Sequence, residues 1–195
     1  MALLVGCATG TPRSAQRDAA ARDATIANDA LSASATFDAP TLAAGFSPAV
    51  LRDLETLREA TRPYHDLKAA QAAGYPMPMP ACIVDSTMGG MGHHYYHRAL
   101  ADSTLDIARP EMLIYAPTPD GKFKFVAVEY IVPYRVLPST AKAPRLFGQE
   151  FRPHEQFKYW YLHVWAWEKN AAGLFADWNP KIRCEGLGTR FWGVR

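Results

Sequence analysis

The stretch Lys122-Phe123-Lys124-Phe125-Val126-Ala127-Val128-Glu129-Tyr130-Ile131-Val132 decides how this chain folds. Its β-branched and aromatic residues suit a pleated surface buried on at least one side. Pro133 stops it, because proline cannot donate to a strand ladder. Upstream, Pro119-Asp120-Gly121 has the chemistry of a tight turn. Before that turn lies a second apolar run, Met112-Leu113-Ile114-Tyr115, which ends at Pro117. The two runs therefore read as a β-hairpin. Downstream, beyond a loop containing Pro138, Pro144 and Pro153, the aromatic run Lys158 to Trp167 predicts another strand.

Toward the N-terminus the pattern becomes helical. Ser47-Pro48 pairs an N-cap residue with a proline at the first helical position. Val50, Leu51, Leu54 and Leu57 follow at helical spacing. Arg62-Pro63 interrupts them, since the residue before proline is pushed out of the helical region. A short second helix follows, with Tyr64, Leu67 and Ala70 on one face and Gly74 as its stop. His65 lies on its surface or boundary and is assigned no chemistry. Pro76, Pro78 and Pro80 mark an extended connector. Helices first and strands afterwards give an α+β fold, with N-terminal helices packed on an antiparallel sheet or partly closed barrel.

The 195 residues suffice for one domain with a sizeable core. The formal charge of +2 is too small to suggest a nucleic-acid partner. No apolar run is long enough to span a bilayer. Leu4-Val5-Gly6-Cys7 matches the bacterial lipoprotein box, in which Cys7 becomes the lipidated residue after cleavage. Residues 1–7 then read as the remnant of a signal peptide whose start lies upstream, because no basic region precedes them. Residues 8–45 are rich in Ala, Thr, Ser and Asp. They cannot bury enough surface to offset their ordering entropy, and so read as a disordered tether. The folded domain is expected over 46–184, with 185–195 as a C-terminal tail. This organisation places the protein in the cell envelope, lipid-anchored at the membrane and facing the periplasm, with the outer membrane the expected site. An oxidising compartment allows Cys82 and Cys184 to pair; two buried free thiols are the alternative.

The run Met88-Gly89-Gly90-Met91-Gly92-His93-His94-Tyr95-Tyr96-His97 holds three of the six histidines. A helix would bring them toward one face, but Tyr95-Tyr96 and the glycines favour a strand. On a strand His93 and His97 share a face about 13 Å apart, too far for one metal ion. At most one histidine here belongs to a given site. Any site must then be built across strands. Glu129 interrupts one apolar strand on the face of Ala127 and Ile131, and His163 interrupts another beside Tyr161 and Trp165. Buried charge is costly unless paired or coordinating. Two histidines and a carboxylate form a known ligand set for zinc, or for iron where positions stay open. His94, Glu129 and His163 are therefore the candidate ligands of one divalent transition metal, zinc or iron, with Glu111 in reserve. The alternative is structural, with Glu129 in an ion pair and His163 bonded to a carbonyl. No nucleophile elbow, phosphate loop or dinucleotide fingerprint is present.

Several of these motifs are familiar together. Met88 to Tyr95, Arg109-Pro110-Glu111, Val126 to Tyr130, Leu162-His163-Val164-Trp165, and Asn179-Pro180 before Cys184 resemble a family of uncharacterised bacterial exported lipoproteins. The resemblance covers roughly residues 60–184. It implies export and singles out His94, Glu111, Glu129 and His163, but no activity. A fainter resemblance, through His93-His94-Tyr95 with His97 and Val128-Glu129-Tyr130, reaches the oil body-associated protein family. Tyr95, Trp165, Trp167 and Trp178 would line a pocket. Two functions follow as expectations: an envelope lipoprotein with a His/Glu metal site on its sheet, or a non-enzymatic lipoprotein that binds a partner or apolar ligand through that aromatic pocket. Neither specifies a reaction or a protein partner.

Overall fold

A computed structural model describes residues 45–76, 81–184 and 189–191, the last three by their backbone alone. Cys7, the tether through residue 44 and most of the tail therefore lie outside the described residues. Helix α1 spans Pro48–Thr61, with the Ser47 side chain accepting from the Val50 N–H as its cap. A 3-10 turn, Arg62–His65, separates it from the short helix α2, Leu67–Ala72, which Asp66 caps. Among the described residues nine strands follow: β1 (Cys82–Asp85), β2 (Gly89–Tyr96), β3 (Met112–Pro117), β4 (Phe123–Pro133), β5 (Arg145–Leu146), β6 (Gln149–Glu150), β7 (Arg152–His154), β8 (Tyr159–Val164) and β9 (Thr189–Phe191). Seven of them form one sheet in the order β7-β8-β4-β3-β2-β1-β9. All neighbours are antiparallel except β1 and β9, which run parallel. The six antiparallel strands curl into a half-barrel. The α+β class and the β3–β4 hairpin are as the sequence predicts.

One face of the sheet packs against the helices. Val50, Leu54 and Leu57 of α1 meet Tyr95, Leu113, Tyr115, Phe125, Val128, Tyr130 and Leu162 in the main core. Two polar bonds fix this layer: the Trp167 indole donates to Thr61 Oγ1, and Arg58 Nε donates to the Ala166 carbonyl.

The opposite face is set by a bulge in β4. Ile114 pairs with Ala127, but the next residue, Tyr115, pairs with Phe125, so Val126 is the extra residue. Phe123 and Phe125 lie with the helices, and so do Val128, Tyr130 and Val132 beyond the bulge. Val126 and Ala127 instead share a cluster with Ile114 and Trp165. Strict alternation would have put Glu129 on Phe125's side, among the core aromatics. The bulge puts it on the other.

Strand β8 is shorter than the predicted Lys158–Trp167. It ends at Val164, where the Trp165 N–H turns to the Leu174 carbonyl and the Trp167 N–H to that of Val126. Cys82 and Cys184 are bonded, with Cα atoms 5.6 Å apart. No helix among the described residues is long and apolar enough to cross a membrane.

Candidate metal centre

Three strands of one sheet each deliver one side chain to a common point. Glu129 on β4 lies directly opposite His163 on β8. His94 arrives from β2, across β3. His94, Glu129 and His163 are almost fully buried, at 3%, 3% and 2% exposure. His94 Nε2 lies 3.4 Å from His163 Nε2 and 3.5 Å from Glu129 Oε2, and His163 Nε2 lies 3.6 Å from that same oxygen. Among the described residues this is the group of His, Cys, Asp and Glu side chains spaced to hold a metal ion.

The electrostatics suit a cation. Burial pushes His94 down to about 4, and the Glu129 charge offsets only part of that effect. His94 is therefore neutral near pH 7, with a lone pair to offer. Burial also opposes charge on His163, but the carboxylates of Glu129 and Asp177 outweigh it and hold that ring at about 9. Burial favours the neutral acid at Glu129, yet the imidazoles of His163 and His94 keep it below the ordinary carboxylate range. Without a metal, the proton on His163 supplies the positive charge that a buried carboxylate requires.

Asp177 completes the arrangement, and sequence reasoning missed it. Its Oδ1 lies 3.6 Å from His163 Nδ1 and 2.5 Å from an Arg152 nitrogen. Tyr161 donates its hydroxyl to Oδ2. Burial works against the Asp177 charge, but His163 and Arg152 hold its carboxyl low. The only signal in the sequence was an acid set between aromatic residues ahead of Asn179-Pro180. Position alone could not tie it to His163.

The remaining candidates separate. His93 and His97 do not join the group: His93 packs edge-on to Phe123, and His97 to Tyr75. Glu111 is buried but lies outside the triad, where its Oε2 accepts the Ile131 N–H. Burial raises it to about 8. A cavity of about 160 Å³ opens beside the triad, with Met91, His154, Phe157, Tyr159, Tyr161 and Trp178 among its walls. Of the four aromatic residues assigned to a pocket, Trp178 lines this one. Tyr95, next to His94 on a strand, points the opposite way into the helix-side core. Trp167 follows the end of β8 and packs with Phe125 and His65. Trp165 shares the cluster of Ile114 and Ala127 and donates to the Ala176 carbonyl. It fixes the segment that carries Asp177 and does not line the cavity.

No family model, curated protein or solved structure matches the chain.

Proposed function

We propose that this is an exported envelope lipoprotein whose sheet binds one zinc ion through His94 Nε2, Glu129 Oε2 and His163 Nε2, with a fourth coordination position open to the cavity. The spacing of the three donors carries the reading. In a tetrahedral site with bonds of ~2.1 Å, donors stand ~3.4 Å apart, whereas an octahedral site would bring neighbours to ~3.0 Å. The observed 3.4, 3.5 and 3.6 Å match the tetrahedral edge and favour zinc over octahedral iron. Three protein ligands leave a position for water or ligand, the pattern of reactive rather than purely structural zinc sites. Export and lipid anchoring rest on the lipoprotein box at Cys7, and the disulfide supports an oxidising compartment.

The test is elemental analysis of untagged protein purified from the periplasm. About one equivalent of zinc is expected, and His163→Ala should lose it while keeping its far-ultraviolet circular dichroism. Wild-type protein that holds no metal after incubation with zinc, iron(II) or copper would overturn the reading.

A further inference from the structure

Resting on the zinc reading, we infer that the open position receives a small aryl carboxylate, with its carboxylate on the metal and its ring among the aromatic walls of the cavity. Three observations converge on that class. A doubly charged ion held by one carboxylate and two neutral imidazoles keeps a net positive charge, since the other carboxylate on the cavity wall, Asp177, is paired with Arg152; an organic monoanion neutralises it. The cavity of about 160 Å³ matches the size that holds a single benzene-like ring. Its outer wall is a cluster of rings: His154, Phe157, Tyr159 and Tyr161, with neighbouring centroids 4.6 to 6.4 Å apart. These rings hold one another in place, and the Phe157 N–H also donates to His154 Nδ1. Such a surface offers faces and edges to a planar guest, which an aliphatic ring of equal size uses less well.

A second cavity shares two of these rings. Phe157 and Tyr159 also border a larger cavity of about 480 Å³, floored by Met112, Ile131 and Pro133 and rimmed by Arg135 and Lys158. Lys158 is paired with Glu155. Arg135 donates to the Ala101 carbonyl, and no carboxylate among the described residues pairs with it. Arg135 thus places a positive charge beside the wall that the two cavities share, which draws anions to it.

The test is calorimetric titration of the zinc-loaded full chain with benzoate, acetate, benzyl alcohol and cyclohexanecarboxylate, with zinc content measured on the same samples. Benzoate should bind at least about tenfold more tightly than acetate or benzyl alcohol, and several-fold more tightly than the saturated ring. Stripping the zinc should weaken benzoate by at least about tenfold. Phe157→Ala, at an exposed wall position, should weaken benzoate about fivefold while leaving acetate and zinc stoichiometry unchanged. Benzoate binding no better than acetate, or equally well without metal, overturns the inference and leaves the zinc site intact. A chain that retains no zinc overturns both readings, and the zinc measurement tells the two failures apart.

Discussion

A histidine that coordinates through Nε2 must keep its proton on Nδ1, and Asp177 is placed to hold it there. Its Oδ1 faces His163 Nδ1 at 3.6 Å. A carboxylate behind a ligating imidazole fixes the tautomer and raises the basicity of the ring. Asp177→Asn should therefore weaken zinc binding by about 10- to 100-fold, as competition with a chelating dye would report. Equal affinities would remove Asp177 from the site. Glu111 makes a different prediction, about stability. Its folded value of about 8 lies above the ordinary 4.5. The folded chain then keeps a proton that the unfolded chain has lost, so the stability is complete below pH 4.5 and is lost as pH rises to about 8. The loss is on the order of a few kcal/mol. Glu111→Gln retains an acceptor for Ile131 and should flatten this decline in zinc-free urea titrations. Parallel curves for the two proteins would refute the assignment.

At the scale of elements, the glycines ahead of the histidines are explained by close approach. Gly89 has φ of +99°, and a Cβ there would collide with the Asn179 carbonyl and the Pro180 Cα. Gly90 and Asn179 exchange backbone hydrogen bonds at 3.0 and 3.2 Å. The segment that follows Asp177 is thus laid directly on β2, the strand that carries His94. Gly89→Ala should cost about 1–3 kcal/mol of stability and should lower zinc affinity too, because displacing this segment carries Asp177 away from His163. A variant with reduced stability and undiminished affinity would show that the segment and the site are independent. Alternation along β4 and β8 was enough to read Glu129 and His163 as polar intruders on strands. Their pairing was not legible, because register between strands 34 positions apart depends on the bulge at Val126 and on the sheet order. Trp167 was misplaced for a related reason. The run Lys158 to Trp167 shows no break in composition where β8 ends at Val164.

Across the whole molecule, the disulfide gathers these parts into one loop. Cys82 and Cys184 are 102 residues apart, and all four site residues, His94, Glu129, His163 and Asp177, lie between them. Helices α1 and α2 lie outside that loop and support the sheet from its other face. Both cysteines are buried beside Val84 on β1, so the bond joins one side of the half-barrel to the end of the segment that carries Asp177. Closing so long a loop is worth ~4–5 kcal/mol in the chain-entropy model, and often less in practice. Cys82→Ser/Cys184→Ser should therefore unfold at markedly lower denaturant. Zinc is expected to restore part of the loss, because an ion that binds only the folded chain adds RT ln(1 + [L]/Kd) to its stability. At 100 times Kd that contribution is about 2.7 kcal/mol, somewhat over half of what the bond provides. The urea midpoint of the double variant should rise with free zinc, and the added His163→Ala should abolish the rise. Were the midpoint indifferent to zinc with His163 in place, the loop enclosed by the disulfide would have no metal centre to hold together.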